Sequence, residues 1–193
     1  MPFKQLVLLL VVAPFFLGCT SQLPVAQSEG TSNQSPPPVI PPRLKGAIEE
    51  LRVIKIKIED GINPKEYGED IADLVPMVEN STGDAKVLAS VKSAVAGHQL
   101  AVKFLGCDRI NGYDEVYQCR DRVLQGVFGK YPDIAARAKD AVRGENFSYI
   151  SAGLDRDAVL QAIWEKTAID TDAALQRSQP SILPEGSKLK NKK

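Results

Sequence analysis

The stretch VKSAVAGHQLAVKFLG (residues 91–106) sets its apolar positions to a helical beat: Val91, Val95, His98, Val102 and Leu105 are separated by steps of four, three, four and three. An α-helix turns once in about 3.6 residues, so all five project from one side. The alternation of four and three is the spacing of a seam between packed helices. Gly106 predicts the stop. One member of the seam is polar: His98 is the chain's single histidine.

Working outward, the preceding segment opens on Asn63-Pro64-Lys65-Glu66. Asn is a favoured cap, Pro suits the first helical turn, and a Glu three places after the cap can reach back to it. Tyr67, Ile71, Leu74 and Val78 then share a face, while Pro76 predicts a kink or an end near Val75. Farther upstream, Leu44, Ile48, Leu51, Ile54 and Ile58 form another stripe. Inside it VIKIKI (53–58) alternates as a half-buried strand would. The flanking GAIEELR and the lack of a strand partner elsewhere favour helix.

Downstream, a helix is expected from about Asn111 and Tyr113 through Val116, Val123 and Val127 to Gly129, with Asp114 and Glu115 near its positive end. Pro132 starts a shorter piece reaching about Val142. The final helix begins at Asp155, where Leu154 and Val159 are placed as a hydrophobic staple. Leu160, Ile163, Trp164 and Thr167 form its inward side. Helices joined by short polar loops predict an all-α fold, a bundle of four main helices plus a short extra helix over residues 44–176. That span suits one domain with a sizeable core. GINPKEYGEDIADLVPMVEN (61–80) resembles a helix start found in secreted bacterial helical proteins of unassigned function, a resemblance that implies no activity.

The ends read differently. MPFKQLVLLLVVAPFFLGC places one cation, Lys4, before an apolar run from Leu6 to Leu17. This is shorter than the ~20 residues a membrane-spanning helix needs, and it has the proportions of a secretory signal over residues 1–18. Leu17-Gly18-Cys19 resembles the lipobox of bacterial lipoproteins. That resemblance implies acylation of the Cys19 thiol, cleavage before it, and a mature chain that starts at Cys19. By the same resemblance, Thr20 in place of an aspartate implies export to the periplasmic face of an outer membrane. In a host without one, it implies the outer face of the plasma membrane. Residues 19–43 are rich in Ser, Gln, Pro and Gly and too poor in apolar residues to offset their ordering entropy, so they predict a disordered linker reaching ~25–30 Å. Residues 177–193, with Pro180, Pro184 and four closing lysines, predict a disordered basic tail.

Basic and acidic side chains number 24 each. Loss of residues 1–18 removes only Lys4. This near-neutral balance argues against a nucleic-acid partner, which calls for a basic face. With Cys19 assigned to lipid, Cys107 and Cys119 remain, and in an oxidising compartment a disulfide is their expected fate. Two buried free thiols are the alternative. A redox-active pair is disfavoured, because the spacing is not C-x-x-C and no basic cluster adjoins it.

Chemistry is sparsely signalled. His98 reads as a core or boundary residue with one satisfied hydrogen bond, or alternatively as a general base near the bundle centre. A Ser-His-Asp arrangement is not excluded by spacing, although no G-x-S-x-G announces one. The carboxylates Glu66, Glu69, Asp70 and Asp73 read as a solvated face. DRINGYDE (108–115) fails as a calcium loop, since Cys107 and Arg109 fall where oxygen ligands belong. Tyr113, Tyr117, Tyr131, Tyr149 and Trp164 read as core filling, or alternatively as a groove. No catalytic, metal or cofactor residues are assigned, and no nucleotide signature appears. The expectation is a lipid-anchored cell-envelope protein, a binding or scaffolding module and more an adaptor than an enzyme. Its membrane contact is the N-terminal lipid, its partner an envelope protein or wall polymer, and its oligomeric state is left open. The alternative is a small-ligand carrier or weak hydrolase with a cavity near His98 and Trp164.

Overall fold

The computed structural model describes residues 40–179. The signal segment, Cys19, nearly all of the linker and residues 180–193 lie outside the described residues. Six helices follow in order: α1 (Pro42–Asp60), α2 (Pro64–Glu79), α3 (Ala85–Gly106), α4 (Tyr113–Lys130), α5 (Pro132–Ala141) and α6 (Arg156–Ser178). Two 3₁₀ turns, Cys107–Arg109 and Ile150–Gly153, complete the set, and no strand occurs among the described residues. The all-α reading is therefore correct, but the count was one low. Five helices are long and only α5, with 10 residues, is short.

Pro76 does not end α2; the helix continues to Glu79. Pro76 and Ala72, whose carbonyl it deprives of a partner, both sit on the exposed side, so water can satisfy what the ring removes. VIKIKI is helical, and α1 closes in the left-handed conformation at Gly61, with φ 93°. Asn63 caps α2 as expected, its side chain accepting from the Lys65 N–H at 2.8 Å. Glu66 does not complete a capping box, because it pairs with Lys57 of α1 instead. Asp84 caps α3 and Asp155 caps α6. Helix α1 begins at Pro42 and α6 ends at Ser178. No described helix is long and apolar enough to cross a membrane.

Helix α3 is the hub, packing against α1, α2, α4 and, most extensively, α6. It can do so because it buries two different stripes. Val91, Val95 and His98 belong to the seam read from sequence, whose Val102 packs toward Gly68 of α2. Ser90, Ala94, Gly97 and Ala101 form a second stripe of small residues, all buried. Two links show it facing α6: Arg177 donates to Ser90, and Thr167 lies directly against Gly97. Small side chains there let the α6 backbone come close. The common core gathers Leu44, Leu51 and Ile54 from α1, Ile71 and Leu74 from α2, and Leu124 and Ile163 from α4 and α6.

Candidate functional site

The residues that bear chemistry in this core come from three helices. Tyr67 sits on the apolar face of α2, His98 on the seam of α3 and Trp164 on α6, and their rings meet edge to face. Tyr67 Oη lies 2.7 Å from His98 Nδ1, and the Trp164 Nε1–H donates to the same oxygen at 3.3 Å. Tyr67 Oη thus joins the indole of one helix to the imidazole of another. Nδ1 is engaged by Tyr67, and Nε2 is the ring nitrogen left over. Tyr67 is fully buried and His98 is 1 % exposed. Burial pushes the Tyr67 phenol upward and holds His98 down at about 4, so the imidazole stays neutral near pH 7. Nε2 is buried and has no hydrogen-bond partner among the described residues.

His98 and Trp164 also line a cleft of about 190 Å³ between α1 and α6. Ile58 and Ala168 add apolar wall, while Lys55, Glu59, Gln161 and Glu165 add polar groups. Lys55 Nζ is already held by both carboxylate oxygens of Asp172, at 2.7 and 2.9 Å. Glu59 and Glu165, both exposed, make no ion pair among the described residues. The two residues flagged in sequence for a cavity do adjoin one. Tyr67, which joins them, was read only as part of an apolar face.

A second polar group was missed altogether. Ser93 of α3 donates to Asp170 of α6 at 2.6 Å and accepts from Lys130 of α4 at 2.8 Å. Its hydroxyl therefore has both a donor and an acceptor partner, each from a different helix. It acts as a polar pin fixing α3, α4 and α6 in register. Nothing in the sequence separated it from other polar residues at helix edges.

Cys107 and Cys119 have their sulfurs 2.01 Å apart, tying the turn after α3 to α4. Beside them Asp108 accepts from Arg120 at 2.6 Å and from Arg156 at 2.7 Å. Burial raises the Asp108 carboxyl, but these hydrogen bonds and charges outweigh it and hold the group below the usual carboxylate range. Asp121 accepts from the N–H groups of Ile150 and Ser151, securing the second 3₁₀ turn. DRINGYDE is thus bound up in a brace, and no three His, Cys, Asp or Glu side chains among the described residues gather as metal ligands would.

Of the acidic cluster, Glu66 and Asp70 grip Lys57 of α1 at 2.8 and 2.9 Å, whereas Glu69 and Asp73 are exposed. The aromatics divide. Tyr131 is buried and Trp164 half-buried, but Tyr113 is 69 % exposed and joins Tyr117 and Tyr149 at the surface, which corrects its reading as core. The chain matches no protein-family model, no curated protein and no solved structure.

Proposed function

We propose that this is a lipid-anchored cell-envelope protein whose helical domain serves as a binding or scaffolding module for an envelope protein or wall polymer. The observation that carries the reading is the use of sulfur. Cys107 and Cys119 lie at bonding distance from each other. That leaves Cys19, placed after Leu17-Gly18, as the only remaining cysteine of three. A paired disulfide suits an oxidising compartment, and a lone cysteine at the end of a short apolar run suits lipid attachment. One acyl chain binds a membrane only marginally, so the several chains of a mature lipoprotein are needed to hold it there.

Replacing Cys19 with serine tests the anchor without touching the helical domain. The wild-type chain is expected to sediment with membranes and stay there in high salt, and Cys19→Ser to be released into the soluble fraction or retained as uncleaved precursor. Equal membrane association of both, with residues 1–18 removed from both, would contradict lipid anchoring.

The second reading is a small-ligand carrier, favoured by the cleft beside His98 and Trp164. Hydrolysis is a weaker fit to the same geometry. His98 Nδ1 is engaged by Tyr67, and burial lowers the imidazole to about 4, which makes it a poor base near neutral pH.

A further inference from the structure

Three properties of the cleft restrict what it can hold. The first is size. At about 190 Å³ the cleft is smaller than the pockets that hold drug-sized ligands and suits a small molecule. The second is charge. Lys55 is matched by Asp172, and the charges left over on the lining are the carboxylates of Glu59 and Glu165. An indole beside two carboxylates is an environment that attracts cations, through the ring quadrupole as well as through charge. The third is the His98 imidazole in the wall, whose Nε2 is buried and without a protein partner. Nδ1 is taken by Tyr67, so Nε2 is the ring nitrogen left to meet a ligand.

We propose that the cleft binds a small organic cation, an amine or quaternary ammonium that also carries a hydroxyl. The cationic end lies against Trp164 between Glu59 and Glu165. The hydroxyl pairs with His98 Nε2, a polar atom whose burial without a partner is otherwise costly. The inference rests on the carrier reading and adds to it the charge and chemistry of the ligand.

Trp164 and His98 are each the only residue of their kind in the chain, so both walls of the cleft report without labels. The full-length chain, kept in a maltoside detergent, is titrated with choline and separately with its uncharged isostere 3,3-dimethylbutan-1-ol. Indole emission and the imidazole proton resonances are followed up to about 10 mM, enough to saturate a site with Kd near 1 mM. Choline is expected to move both signals with one Kd, and the isostere to bind about tenfold more weakly. Glu59→Gln combined with Glu165→Gln, both at exposed positions, is expected to weaken choline several-fold while leaving the isostere unchanged. Equal binding of choline and isostere, or undiminished choline binding by the double variant, would overturn the cation assignment and leave the carrier reading standing. Silence of both reporters toward both ligands would remove the two together.

Discussion

His98 is where physical chemistry and position are most tightly coupled. A neutral imidazole buried to 1 % exposure must acquire a proton when the chain unfolds below pH about 6.5, but resists one while folded until about pH 4. The unfolded chain therefore binds more protons across that window, and folding stability rises with pH within it. His98 is expected to contribute its full share above pH 6.5 and to lose it progressively as the pH falls toward 4. The loss is about 3 kcal/mol at the ~1.4 kcal/mol that each unit represents. The paired carboxyl of Asp108, held below its usual range, titrates at more acid pH and does not imitate this profile. Urea unfolding of the wild type and of His98→Asn at several pH values checks the expectation. The wild type should lose stability between pH 6.5 and 4, and the variant should be nearly flat there. A flat wild-type profile would show the imidazole to be solvated in the folded chain.

Among the elements, the junction of α3 with α6 determines how closely the bundle packs. A Cβ on Gly97 would stand 2.6 Å from the Thr167 methyl and closer still to the Tyr131 hydroxyl, which is itself buried. Neither neighbour has open space into which to retreat, since Thr167 is 1 % and Tyr131 7 % exposed. Gly97→Ala is therefore expected to destabilise by about 1–3 kcal/mol despite the better helix propensity of alanine. Thermal or urea unfolding measures it, and a neutral or stabilising result would mean that the two helices sit farther apart. This junction was hidden in the sequence for a physical reason. Ser90, Ala94, Gly97 and Ala101 carry little hydrophobic signal, so periodicity found the valine stripe of α3 and passed over the small one. The face Tyr67, Ile71, Leu74, Val78 of α2 was legible in full, since each member is large and the repeat is regular. Leu124, buried in α4, was missed beside the half-buried Val123 that was chosen. The small stripe declares itself only once its partner helix is in place.

For the whole molecule, what was legible depended on sequence distance. His98 and Trp164 each stood out by rarity, but the hydrogen bonds joining them through Tyr67 span 31 and 97 positions, a separation no local pattern encodes. The Ser93 pin, with partners 37 and 77 positions away, left no trace for the same reason. Cys107 and Cys119, 12 positions apart, were legible because compartment and parity together named the pair. Closing that loop contributes about 3 kcal/mol in the chain-entropy picture, holding the end of α3 to α4 at the brace. The fate of the three sulfurs also defines the molecule's place, and intact-mass spectrometry of the mature protein reads all of them at once. The account predicts a chain beginning at acylated Cys19 that gains the mass of two hydrogens on reduction. An unacylated chain that retains residues 1–18 and carries three free thiols would contradict it.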